Sequence, residues 1–307
     1  MSMYFTNKIL QGDCLDVLKT LPDKSVDCCI TSPPYWGLRD YGVEGQLGNE
    51  NHFNLYIEKL INIFNEVRRV LKDTGVCFIN LGDTYNGNKE GNDDAKNTGA
   101  NTKSFKKSKI DGIKNKCLLM IPSRFSIGMI DDGWILRNHI IWHKPNQMPA
   151  SVTDRLVVDF ESVFLFAKQE KYFFDYLSIQ EKSIWAELDH RFKDGATKGG
   201  KTLTGKYAMS SGGAYQENGM RNKRTVWSIN TEPFGDSHFA TYPQDLVSLC
   251  LKAGCPDGGI VLDPFMGAGT TAVVARKLNR NFVGIELNPE YIKIAEKRLY
   301  NEIGMWL

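Results

Sequence analysis

Ser32-Pro33-Pro34-Tyr35, followed by Trp36 and Gly37, packs a hydroxyl, two prolines and a flat ring into a few residues. Proline has a fixed φ and no N–H, so two in succession hold the chain extended and aim a carbonyl in one direction. Such a loop suits one kind of chemistry. An exocyclic amino nitrogen on a base is a poor nucleophile, because its lone pair is delocalised into the ring. Acceptors for its hydrogens let the nitrogen pyramidalise and offer that pair. Ser32 and the carbonyl of Pro33 are the candidate acceptors. Tyr35, helped by Trp36, is a surface on which a base can stack, worth roughly 1–3 kcal/mol. An isolated Pro-Pro-Tyr would be a proline-ended strand and an aromatic turn. Its position directly after the apolar run 26–31 favours the functional reading.

A second stretch, Asp263-Pro264-Phe265-Met266-Gly267-Ala268-Gly269-Thr270-Thr271, follows another apolar run. Glycines between a strand and a helix allow a tight turn and close approach to a ligand, and a helix N-terminus favours negative groups. About twenty residues on, Glu286 ends the next strand, where a carboxylate can accept both hydroxyls of a ribose. The glycine pattern also fits a dinucleotide fingerprint with alanine in third place, so a nicotinamide dehydrogenase is an alternative. Against it, Asp263-Pro264-Phe265 intervenes before the first glycine. An acidic side chain there sits badly beside a pyrophosphate but suits the ammonium group of a methionine moiety.

The elements that must position these loops can be read from periodicity. Residues 26–31 and 76–81 are expected as strands. Ile57, Leu60, Ile61, Phe64, Val67 and Leu71 lie at helical spacing, in a helix ending near Lys72–Gly75. A helix is expected over 122–132, and strands over 134–142 and 162–168. Thr241 and Gln244 have capping-box spacing, with Pro243 in the first turn and Gly254 at the helix end. Strand 259–262, helix 270–278, strand 282–286 and helix 289–300 alternate as in a parallel α/β sheet.

The 307 residues, 42% of them hydrophobic, allow one large domain with a smaller lobe. No run of about 18 apolar residues occurs, so no membrane span is expected. Neither is a leader at the N-terminus. Seven cysteines without Cys-x-x-Cys spacing point to reduced thiols in a cytoplasm, with Cys28 and Cys29 as core. His139 and His143 lie in a strand-like run, too far apart to share a metal, and no metal is expected.

Net charge is only +2, yet 86–116 holds eight lysines against four acids, and 182–224 nine Lys or Arg against four. Both stretches are rich in Gly, Asn, Ser and Thr. Alone they could be solvated loops; on a near-neutral body they suit phosphate contact. Lys106, Lys107, Lys198, Lys201, Arg221 and Arg224 are the candidates.

The proline loop resembles the catalytic motif of DNA amino-methyltransferases, and Asp263–Thr271 resembles their cofactor motif. The catalytic motif comes first, as in the family's β class. Protein glutamine methyltransferases carry a related loop, but after the cofactor motif and with Asn in place of Ser32. Gly12-Asp13 resembles the family's opening segment, whose aspartate contacts the cofactor adenine. Trp142–Asn146 with Arg155 and Glu161 resembles a later strand motif. His238–Pro243, including Thr241, resembles a segment closing over the methionine end.

The resemblance implies a circularly permuted, three-layer Rossmann-like α/β fold that uses S-adenosylmethionine. Its catalytic residues would be Ser32, Pro33, Pro34 and Tyr35. The cofactor site would hold Asp13, Thr241, Asp263, Phe265, Gly267, Gly269, Thr270 and Glu286. The catalytic part would span 1–180, a target-recognition lobe 181–230 and the cofactor part 231–307. Double-stranded DNA is the expected partner, with a cognate restriction endonuclease and a homodimer as further expectations. Ser32, where adenine enzymes of this class more often carry aspartate, leans toward cytosine N4 over adenine N6. A non-catalytic DNA-binding protein on this fold is the other alternative.

Overall fold

The computed structural model describes residues 4–38, 41–87, 109–182, 220–232 and 241–304. Two compact units divide the chain: Met1–Phe174 with Thr225–Leu307, and Asp175–Arg224.

The larger unit is built on one eight-stranded mixed sheet. In chain order its elements are β1 (Lys8–Gln11), α1 (Cys14–Thr20), β2 (Val26–Thr31), α2 (Phe53–Val70), β3 (Leu71–Leu81), α3 (Ile121–Asp131), β4 (Ile135–His143) and β5 (Phe160–Ala167). The smaller unit contributes β6 (Glu181–Lys182) and β7 (Met220–Arg221). The larger unit then resumes with β8 (Val226–Ser228), α4 (Gln244–Gly254), β9 (Ile260–Asp263), α5 (Thr270–Lys277), β10 (Asn281–Glu286) and α6 (Pro289–Ile303). Across the sheet the strands run β1-β10-β9-β2-β3-β5-β4-β8. The first five are parallel, and β5 is antiparallel to both neighbours.

Successive strand residues face opposite sides, and both sides are covered. Cys29, Cys77, Ile79 and Leu262 join the core made with α1, α2 and α3. Cys28, Val76 and Phe78 face Gly254 of α4, where an added Cβ would lie 2.7 Å from both Val76 and Phe78. Gly254 thus permits close helix–sheet packing as the last residue of its helix. Cys28 and Cys29 are fully buried, as core residues should be.

Two local expectations need correction. Strand β3 begins at Leu71, within the stretch expected to end a helix. Leu71 pairs with Val26, and a bulge intervenes before Cys28 meets Val76. Lys72 spans that bulge to Asp27 at 2.7 Å, so polar residues resembling a helix end belong to an irregular strand. The Thr241 capping box does not form either. The N-cap is Pro243, with no side-chain cap bond, because Tyr242 reaches inward to Asp263 and the chain stays extended through Pro243. Val226–Ser228, within the stretch expected as a recognition lobe, pairs with β4 at the main sheet's edge.

The smaller unit gathers three basic residues on one acid. Arg221 and Arg224 donate to Glu181 at 3.0 and 3.1 Å, with Lys223 at 3.6 Å. Lys106, Lys107, Lys198 and Lys201 lie outside the described residues. No helix among the described residues is long and apolar enough to cross a membrane.

Candidate active site

The proline loop leaves β2 and the glycine loop leaves β9, and these parallel strands are neighbours. Both loops therefore emerge at the carboxyl edge of the sheet, side by side, where open α/β sheets bind ligands. Between them lies a cavity of about 140 Å³. Two smaller cavities measure about 10 and 20 Å³, and a single water needs roughly 10–15 Å³, so of these three only the first has ligand size. Ser32 and Pro34 line it from the proline loop, and Phe265, Gly267 and Thr270 from the glycine loop. Glu286, Asp13 and Thr241 line it too, whereas Gly269 and Asp263 of the expected set do not.

Gly267 and Gly269 have φ of +51° and +80°, the left-handed region that favours glycine. A Cβ on Gly269 would also lie 2.8 Å from that of Ala295, so close approach of α6 requires a glycine there. The Gly267 N–H donates to Glu286 at 2.8 Å, and the Asn288 N–H donates to the other carboxylate oxygen at 2.8 Å. Each oxygen keeps a further lone pair. Burial raises the Glu286 pKa above the usual range, against the pull of those two N–H groups. A carboxylate at a strand end, anchored by backbone and lining the cavity, fits the paired hydroxyls of a ribose. Asp13 caps α1, accepting from Leu15 and Asp16, while lining the same cavity.

Asp263 departs from its expected role. It is fully buried, away from the cavity lining, and both oxygens are taken by donors of the protein. One oxygen accepts from Thr31 (2.6 Å) and the Phe265 N–H (3.1 Å); the other accepts from Thr271 (2.5 Å) and Tyr242 (2.9 Å). Burial raises its pKa despite those bonds. The side chain ties β2, Tyr242 and the glycine loop together behind the cavity wall. It does not face a ligand's ammonium group.

The proline loop is held from several directions. The Tyr56 hydroxyl donates to the Pro34 carbonyl at 2.7 Å. No such bond reaches the Pro33 carbonyl among the described residues. Ser32 donates to Asn80 Oδ1 at 3.2 Å, and Tyr35 Oη lies 2.9 Å from the same oxygen and 2.6 Å from Glu161 Oε2. Lys144 closes an ion pair with the other oxygen of Glu161. Burial, then the neighbouring Glu161 charge, pushes the Tyr35 phenol well above its ordinary pKa, so it keeps its proton. An edge of its ring lies against Gly82, where an added Cβ would come within 2.5 Å. Trp36 is not available for stacking. It is 5% exposed, packed edge-on to Phe53, and donates to the Glu50 carbonyl.

Several residues of the site escaped sequence reasoning. Asn80 is the last residue but one of β3, at the same sheet edge, a position that could have flagged it. Tyr41 and Tyr291 meet edge-to-face at 6.1 Å in the cavity lining, and no local spacing links them. His139 stacks on Phe164 and bonds Ser162, a packed role. Among the described residues no cluster of His, Cys, Asp or Glu is placed to hold a metal. Six of the seven cysteines are buried, and burial pushes the Cys255 thiol up to about 12.

A family model described as DNA methylase matches residues 26–297. The type II methyltransferase M.Cfr9I of Citrobacter freundii is 41% identical over 295 residues, spanning 96% of this chain and 88% of that protein. M.SmaI of Serratia marcescens is 42% identical over 294 residues, spanning 95% and 90%. Among solved structures, PvuII DNA methyltransferase (cytosine-N4-specific) matches with a TM-score of 0.64 and 19% identity, over 94% of this chain and 85% of that one. A DNA modification methylase of Thermus thermophilus, complexed with S-adenosyl-L-methionine, matches with a TM-score of 0.61 and 23% identity, over 97% and 94%. At such identities these structures speak for the fold. The matches set the nicotinamide dehydrogenase alternative aside.

Proposed function

The chain belongs to the N6/N4 DNA methylase family, and from that premise we infer a site-specific DNA methyltransferase that modifies the exocyclic amino group of a flipped base, cytosine N4 by preference. The observation that carries this reading is the placement of Ser32. It lines the ligand-sized cavity beside the glycine loop while its hydroxyl is tied back to Asn80.

The cavity residues fit S-adenosylmethionine. Glu286 would take the ribose hydroxyls, the backbone at Gly267 allows close approach, and Asp13 and Thr241 complete the lining. When bound, the cofactor supplies a methyl group on a positively charged sulfur. Everything else falls to the chain. A base inside a duplex is out of reach and must swing into the pocket. Ser32 and the Pro33 carbonyl accept its amino hydrogens, and Tyr35 offers its ring. Holding the two reactants together supplies most of the rate. No thiol takes part, and six of the seven cysteines are buried.

The order of the loops supports a circular permutation, since β2 precedes β9 in sequence yet adjoins it in the sheet. Site recognition is assigned to the smaller unit and to the basic loop 86–116. The type II class of the relatives supports a cognate restriction endonuclease in the same cytoplasm. Cytosine N4 is favoured because Ser32 stands where adenine enzymes of this class more often carry aspartate.

The test is to incubate the protein with radiolabelled cofactor and DNA, then identify the nucleosides by mass spectrometry. N4-methylcytosine is expected. N6-methyladenine would overturn the choice of base, and C5-methylcytosine the whole mechanism. No labelled product from a folded, cofactor-binding protein would favour the non-catalytic alternative.

A further inference from the structure

The loop between β4 and β5 exposes apolar side chains that a monomer would ordinarily hide. Leu156 is 89% exposed and Met148 79%, and Val157, Val158 and Phe160 are exposed as well. Exposed apolar side chains concentrated in one stretch of chain mark an interaction site. Tethers hold the loop in place. Asn146 exchanges hydrogen bonds with the Thr231 backbone, Arg155 lies 4.4 Å over the ring of Tyr85, and Asp154 pairs with Lys116 at 2.6 Å.

The root of the loop says what should cover it. Lys144 and Glu161 stand at its two ends and pair with each other, and Glu161 accepts from the catalytic Tyr35. Leu156 is five residues from Glu161, so it lies within about 17 Å of it even fully extended. A protein seated on this loop would crowd the pocket that must receive a base. The DNA whose base reaches Tyr35 is then the occupant that fits. A base that swings out leaves a gap in the stack, and apolar side chains can enter such gaps. Arg155, beside Leu156, adds positive charge toward phosphates.

Resting on the methyltransferase reading above, we propose that the β4–β5 loop contacts the DNA duplex next to the target base and that Leu156 is the wedge that holds the stack open. The test compares wild type with Leu156→Ala in single-turnover methylation of a duplex carrying the site mapped with the wild-type protein. A second duplex carries the same site with the target base mispaired, where leaving the stack costs less. The variant is expected to be at least tenfold slower on the matched duplex and within about twofold of wild type on the mispaired one. Equal rates on the matched duplex would overturn the proposal, as would an equal loss on both. A change from dimer to monomer in sedimentation would reassign the surface to contact between copies. Failure of wild type on either duplex would instead strike the methyltransferase reading.

Discussion

The phenolic oxygen of Tyr35 lies 2.6 Å from Oε2 of Glu161, the carboxylate that Lys144 holds from its other side. This contact dictates where protons sit around Ser32. Asn80 must turn its Nδ2 toward Ser162, because a main-chain carbonyl only accepts; that nitrogen also donates to Glu161. Its Oδ1 therefore faces Ser32 and Tyr35. The phenol has one proton, and the charged oxygen is the stronger acceptor. Asn80 Oδ1 is left for the Ser32 hydroxyl, whose lone pairs then face the cavity. Ser32 is set as an acceptor.

Glu161→Gln should therefore lower kcat about tenfold, roughly 1.4 kcal/mol, with cofactor affinity unchanged. Tyr35→Phe should do the same, and the double variant should be no slower than either single one, because both break one network. Additive losses in single-turnover assays would show that the two side chains act separately.

Replacing Asp263 should damage the fold more than any ligand contact. Asp263→Ala strands the donors of Thr31 and Phe265 and one of the Thr271 and Tyr242 hydroxyls, which also bond each other, at about 1–3 kcal/mol for each buried group left unpaired. Thermal unfolding should report a loss of about 3–5 kcal/mol. A variant with wild-type melting but weakened cofactor binding would restore Asp263 to a direct ligand role.

Glu286→Ala should weaken S-adenosylmethionine binding at least tenfold in calorimetry, about 1.4 kcal/mol. Ligand hydroxyls donate to the ionised carboxylate. Burial raises its pKa above the ordinary 4.5, so protonation on acidification begins at a higher pH than for an exposed glutamate. Affinity should be flat above that raised pKa and fall as pH drops through it. Glu286→Gln should remove the dependence, and a persistent slope in that variant would assign it to another group.

The basic stretches should differ in what they control. Reversing Lys106 and Lys107 to Glu should weaken DNA binding on all sequences and flatten its salt dependence. Arg224, 64% exposed although paired with Glu181, should alter site preference when changed to Ala. Unchanged salt slopes and site preference in both variants would leave these stretches as solvated loops.

Sequence reading reached whatever depends on near neighbours in the chain. Prolines fix their own φ, glycines at 267 and 269 supply their own positive φ, and side-chain alternation follows from the strand itself. The proline loop, the glycine loop, Glu286 and most of the strands and helices are therefore legible in the sequence. Partnerships across the sheet were not. Asp263 looked like a ligand because its position in the motif is local, whereas its saturation by Thr31 and Tyr242 depends on strands distant in sequence coming together. Trp36 looked like a stacking surface until Phe53 and the Glu50 carbonyl enclosed it. Asn80, Tyr41 and Tyr291 gain meaning only from what the fold brings beside them. Residue types and spacing determine which chemistry the chain can offer. Which polar group is left with a free lone pair, and which is used up holding the fold together, is decided by tertiary packing, because a buried donor or acceptor must find a partner wherever the chain places one.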